Sequence, residues 1–109
     1  MSTAAATNGR PRGLCAQKTR KLRKYNVILW DDDDHTYRYV VDMMRSLFGH
    51  DTVRGYEIAE SVDLYGRAIC LTTTLEHAEL KRDQIHAYGR DDDIVHCKGS
   101  MAATIEPAE

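Results

Sequence analysis

A chain of 109 residues with a formal net charge of −2 has room for one domain, and a domain of this size buries only about 60–65% of the surface its unfolded chain exposes. That leaves little space for a deep substrate cavity with a cofactor and favours shallow binding at the surface, without catalysis. Three cysteines (Cys15, Cys70, Cys97) with no CxxC pair argue against a disulfide framework and for a reducing, cytoplasmic setting. No apolar run approaches 18 residues and the N-terminus has no hydrophobic signal core, so no membrane association is expected.

The charge is split along the chain. Residues 1–24 carry seven Lys or Arg and no acid, and the rest carries 8 basic and 17 acidic residues. With almost no apolar content, 1–24 is predicted to be a disordered basic extension; its Ser/Thr/Ala/Arg-rich composition also has the look of an organellar transit peptide. The tail lacks interleaved aromatics, so specific nucleic-acid binding is not expected. Tyr25–Trp30 (YNVILW) reads as a buried strand, ended by Asp31–Asp34. Tyr37, Val40, Val41, Met43, Met44, Leu47 and Phe48 recur at helical spacing, with Thr36 or Asp34 as cap and Gly49 as terminator. A second helix is predicted from an Asp51 cap to before Gly66, with Val53, Tyr56, Ile58, Ala59 and Val62 as its buried stripe. Ala68–Thr73 reads as a strand, and Thr74 caps a third helix with Leu75, Ala78, Ile85 and Tyr88 inward. Ile94–Cys97 reads as a short third strand, and 99–109 as a flexible end. The order β-α-α-β-α-β predicts an α+β domain over 25–98, a three-stranded antiparallel sheet packed against three helices.

Four adjacent carboxylates at the end of a buried strand have several readings. The plainest is a solvated loop with a helix cap. A divalent-cation site lacks the EF-hand glycine and the glutamate at the twelfth position. A phosphoacceptor receiver needs parallel strands that this chain does not have. The five histidines and the two core cysteines fit no zinc-ligand spacing. Capture of an ammonium group fits the chemistry: a chain's α-amino terminus is mostly protonated at pH 7 and carboxylates bind it by charge-assisted hydrogen bonds. Asp63, at the end of the second helix, lies near Asp31 and Asp32 if the two helices form a hairpin beside the first strand.

The order of motifs resembles the ClpS family of Clp protease adaptors. The opening strand and acidic turn are Tyr25-Asn26-Val27-Ile28-Leu29-Trp30-Asp31-Asp32-Asp33, followed by Tyr39-Val40-Val41 and Phe48. Gly66-Arg67-Ala68-Ile69-Cys70 stands for the family's Gly-Lys/Arg-x-x-Cys strand, Glu76-His77-Ala78-Glu79-Leu80-Lys81 for its Glu-x-Ala-Glu-x-Lys helix, Tyr88-Gly89-Arg90 for its Tyr-Ala-Arg, and Cys97 for its late Cys. The resemblance implies a protein without catalytic residues or cofactor that binds the bulky first residue of a substrate (an N-degron) and delivers it to a ClpA- or ClpC-type AAA+ unfoldase. The α-amino group would be held by Asp31, Asp33 and Asp63, with Asp32 beside them. The side-chain pocket would be lined by His35, Tyr37, Val40, Ala59 and Val62, with Val95 or His96 nearby. Glu76 and Lys81 would dock the unfoldase N-domain.

Departures from the family pattern cluster at the implied pocket. Asp31 stands for an Asn, Asp63 for a His, His35 for a Thr, Tyr37 and Ala59 for methionines, and Trp30 for a smaller aliphatic. Acceptors for an ammonium group are kept, but the donor of an amide or imidazole is lost. The expectation is altered ligand choice on a retained fold; the alternative is a protein that docks the unfoldase with N-degron binding lost, acting as a modulator.

Overall fold

The computed structural model describes residues 23–32, 35–92 and 99–108. Their elements are β1 (Tyr25–Trp30), α1 (Tyr37–Phe48), α2 (Thr52–Tyr65), β2 (Arg67–Thr73), α3 (Leu75–His86) and β3 (Ala103–Pro107). The three strands make one antiparallel sheet in the order β2-β1-β3, which is the expected β-α-α-β-α-β arrangement.

Strand alternation sorts the sheet into two faces. Val27 and Leu29 of the central strand pack with Ala68, Cys70 and Ala103 against Met43, Met44, Ile58 and Ile85 of the helices. Cys70 is the extra residue of a bulge in β2, between the partners of Val27 (Leu71) and Ile28 (Ile69). The opposite face carries Trp30, whose indole Nε1 donates to Thr104 Oγ1 at 2.8 Å and whose ring lies 5.3 Å from the Arg67 guanidinium. Arg67 in turn pairs with Glu106 at 2.6 Å.

The third strand is not where the sequence placed it. The predicted strand at Ile94–Cys97 lies outside the described residues, and the segment predicted to fray contains β3. Met101, Ala103 and Ile105 alternate toward the core, and Ala103 and Ile105 sit opposite Leu29 and Val27. Without β3, the central strand would expose a row of unpaired backbone groups on a full edge. The folded unit therefore runs to Pro107, past the boundary expected at 98. Of the basic extension, only Arg23 and Lys24 are among the described residues.

The helices begin at predicted caps, and α1 and α2 end at the predicted glycines. Thr36, Asp51 and Thr74 cap α1, α2 and α3 by accepting from the backbone N–H of Tyr39, Arg54 and His77. Gly49 and Gly66 close α1 and α2 in the left-handed region, at φ 70° and 84°. Buried faces differ in detail. In α2 the inward set is Gly55, Ile58, Ala59 and Val62, a clean i, i+3, i+4, i+7 stripe, so Val53 and Tyr56 fall on the exposed side. Leu75 is exposed and Tyr88 packs on the core from beyond the end of α3. Tyr39, absent from the predicted stripe, is buried in α1.

Candidate functional site

The end of β1 is held from both neighbours. Trp30 N donates to Ala102 O at 3.0 Å, and Asp31 N donates to Gly66 O at 2.9 Å. The chain thus leaves the sheet at a fixed point, between the start of β2 and the segment entering β3.

The first turn of α1 and the residues leading into it are tied to Gly89, Asp91 and Gly99. His35, its side chain only 3% exposed, donates from Nε2 to Gly99 O at 2.7 Å, since a carbonyl can only accept, and its Nδ1 lies 2.7 Å from Asp32 Oδ1. Thr36 donates both its backbone N–H (2.7 Å) and its hydroxyl (2.9 Å) to Asp91 Oδ2. Asp91 is 3% exposed, the one buried charged residue among those described. Its carboxylate sits at a helix N-terminus, where the backbone dipole favours negative charge. Tyr39 OH donates to Gly89 O, and Gly89 N donates to Ser100 Oγ at 2.7 Å.

These ties shape a cavity of about 200 Å³ at the sheet's end. Asp31, Asp32, His35 and Thr36 bound it from the turn, Tyr37 and Val40 from α1, Ala59, Val62 and Asp63 from α2, and Met101 from the segment before β3. Val40, Ala59, Val62 and Met101 are buried and make an apolar floor. The carboxylates stand on the rim. Across it, Tyr37 OH donates to Asp63 Oδ2 at 2.9 Å, with the Tyr37 ring leaning on Tyr56 at 6.4 Å between centroids. The Tyr37 phenol is held above its usual pKa, first by that hydrogen bond, then by desolvation and by the negative charges of Asp63 and Glu60. Its volume suits one side chain, well below the 300 Å³ or so at which drug-sized ligands begin to fit. A larger cleft of about 390 Å³ lies between α1 and residues 88–92, but its walls are charged and tyrosyl groups without an apolar floor.

Of the residues implicated from the sequence, Asp31, Asp32, His35, Tyr37, Val40, Ala59, Val62 and Asp63 line this one cavity. Asp33, Val95 and His96 lie outside the described residues. Trp30 does not line it: alternation turns its side chain to the sheet's other face. Thr36 and Met101 do line it and were not anticipated there; the apolar alternation Met101, Ala103, Ile105 is the signal that marks Met101 as inward-facing. Glu76 is exposed in the first turn of α3. Lys81, 34 positions from Leu47 in the chain, donates its ammonium to Leu47 O and lies 5.6 Å from the Phe48 ring centroid, so it also closes the C-terminal end of α1. Among the described residues, no three His, Cys, Asp or Glu side chains gather as for a metal ion, and no helix is long and apolar enough to cross a membrane.

An apolar slot for one side chain, rimmed by carboxylates on a small α+β domain, defines a binding module. The family model described as "ATP-dependent Clp protease adaptor protein ClpS" matches residues 20–104. The ClpS adapter of Pectobacterium carotovorum is 31% identical over 77 residues, spanning 71% of this chain and 73% of its own. That of Escherichia coli O157:H7 is 32% identical over 84 residues, spanning 73% and 79%. The solved structure of Agrobacterium tumefaciens ClpS2 bound to L-phenylalaninamide shares the fold with a TM-score of 0.67 at 20% identity, covering 78% of this chain and 96% of that one. The chain belongs to the ClpS family of Clp protease adaptors, which is non-catalytic, and it is not an enzyme.

Proposed function

We propose that this adaptor binds the first residue of substrate proteins in the cavity beside α1 and α2 and delivers them to a ClpA- or ClpC-type unfoldase in the cytoplasm. One observation carries the reading: Asp31, Asp32 and Asp63 converge on the rim of a slot whose floor is apolar. A protein's start is the one place where an ammonium group and a side chain lie two bonds apart. The rim suits the first and the floor the second. Asp33 belongs to the same carboxylate set by its place in the sequence. That a related protein binds L-phenylalaninamide, an amino-acid amide with a free amine and an aromatic side chain, supports the same assignment. Glu76 and Lys81 on α3 are the proposed unfoldase contacts, and the buried free thiol of Cys70 suits a reducing compartment.

Fluorescence anisotropy with a short peptide beginning in Phe, against the same peptide N-acetylated, tests this directly. Acetylation removes the charge and at least two ionic hydrogen bonds at about 1.5–3 kcal/mol each, so affinity falls at least ~100-fold. Equal binding of the two peptides refutes amine recognition. The Tyr37 hydroxyl already resting on Asp63 favours a second reading, in which N-degron binding is lost and only unfoldase docking remains. In that case neither peptide binds, while a pull-down with the unfoldase N-domain succeeds.

A further inference from the structure

Tyr37 and Asp63 come from opposite helices of the α1–α2 hairpin and meet over the cavity. The hydrogen bond engages one carboxylate oxygen, Oδ2, at 2.9 Å. A carboxylate has two oxygens and about four lone-pair directions. Fixing one of them to a phenol on the far rim sets the rotation of the whole group, and leaves Oδ1 to accept from a ligand. An unfixed carboxylate at the exposed end of a helix would spread over its rotamers and would have to be ordered at each binding event. The phenol is itself restrained, by the Tyr56 ring and by its place in the first turn of α1. The bond is of the strong type, with an ionised acceptor, and the raised pKa of Tyr37 agrees with a phenol that keeps its proton and donates it in a hydrogen bond to Asp63.

We infer that Tyr37 is a positioning residue for ligand binding: its hydroxyl pre-orients the Asp63 carboxylate toward the incoming ammonium group, and its ring forms one side of the rim of the side-chain slot. The inference rests on the amine-binding reading above. Hydroxyl and ring then have separable effects. Loss of the hydroxyl weakens every free-amine ligand alike, because it acts through Asp63. Loss of the ring opens the slot between Val40 and Ala59 and changes which first residues are preferred.

The test uses the full chain and peptides that begin with Leu, Phe, Tyr, Trp, Met or Val, each with a free amine. Tyr37→Phe should weaken all of them by about 3- to 10-fold, the size of one modest hydrogen bond, with their ranking unchanged. Tyr37→Ala should reorder them toward the larger side chains. Asp63→Ala should weaken binding more than Tyr37→Phe, and the double variant should be no weaker than Asp63→Ala alone, since the hydroxyl then has no side-chain acceptor left to orient. Additive losses in the double variant, or wild-type affinity in Tyr37→Phe, overturn the positioning role while leaving amine recognition standing. A wild-type chain that binds none of the peptides overturns both. Tyrosine ¹³Cζ NMR on the free protein reads the contact without any ligand: the Tyr37 resonance, identified by its loss in Tyr37→Phe, should titrate above the ordinary tyrosine value in wild type and move to lower pH in Asp63→Asn. If no resonance responds to Asp63→Asn, the hydrogen bond is absent in solution and the inference fails on that ground alone.

Discussion

Gly55 is the point where packing and the candidate site are most directly joined. At this residue α2 passes α1 closely enough that an added Cβ would stand 3.2 Å from Val41 Cγ1 and 3.3 Å from Val41 Cα. Favourable carbon contacts lie near 3.5–4.0 Å, and neither neighbour yields easily: Cα is backbone, and a valine in a helix has one strongly preferred χ1. In Gly55→Ala two effects oppose each other. Alanine in a helix interior gains about 0.8–1.0 kcal/mol over glycine. Overpacking a well-filled contact costs about 1–3 kcal/mol. The net expectation is a loss of about 1 kcal/mol, or a Tm lower by roughly 4–8 °C for a domain of this size. Urea unfolding, followed by the fluorescence of Trp30 and by far-UV circular dichroism, measures it. Moving the helices apart would also separate Tyr37 and Val40 on α1 from Ala59, Val62 and Asp63 on α2, so peptide affinity should fall with stability. A variant more stable by the full ~1 kcal/mol of helix propensity would show that the hairpin has slack at Gly55 and refute the close-packing explanation.

Three further outcomes follow from the same geometry. Thr36→Ala removes the cap on Tyr39 N and the hydroxyl donor to Asp91, and should cost about 1–2 kcal/mol in chemical denaturation, whereas Thr36→Ser should stay close to wild type. Ending the chain after Ala102 deletes β3 and bares one edge of the central strand, and should leave a protein without a cooperative unfolding transition in circular dichroism. Burial pushes the Cys70 thiol up to about 12, from an ordinary value of 9.0; the native thiol should therefore resist alkylation at pH 8, with labelling of its tryptic peptide appearing only in urea. Because the folded state keeps this proton longer than the unfolded chain does, the contribution is fully present below pH 9 and is lost as pH rises toward 12. Cys70→Ala should flatten that alkaline decline.

Much of the fold is legible because its local signals agree. The YNVILW run, the caps Thr36, Asp51 and Thr74, and the terminating Gly49 and Gly66 each state one element boundary, and tertiary packing overrides none of them. The misreadings have two physical sources. Along α2, Val53 and Tyr56 are apolar without being inward, and the residue that decides the inward face is Gly55, which has no hydropathy to advertise it. At the C-terminal end, the apolar pattern of β3 is diluted by alanines and closes on Glu106 and Pro107, so the strand depends on the edge of β1 to define it. That edge cannot be seen until the sheet order is known.

The site was legible in its membership but not in its wiring. Residues 31, 35, 37, 59 and 63 all stand out as departures from the family pattern, yet nothing in the spacing says that Tyr37 and Asp63, 26 positions apart, would form a hydrogen bond, or that His35 and Asp32 would form another contact three residues apart. The Tyr37–Asp63 pair joins two departures, a new phenol and a new carboxylate. Taken one at a time, Tyr37 in place of an apolar residue would add an unpaired phenol at the rim, and Asp63 in place of a histidine would add a negative charge with no donor facing it. Together each satisfies the other. A single reversion, Asp63→His or Tyr37→Met, should therefore weaken peptide binding more than the two made together, which restore a different but self-consistent rim. If the double reversion proves the weakest of the three in anisotropy titrations, the two positions act independently and their hydrogen bond is incidental to binding.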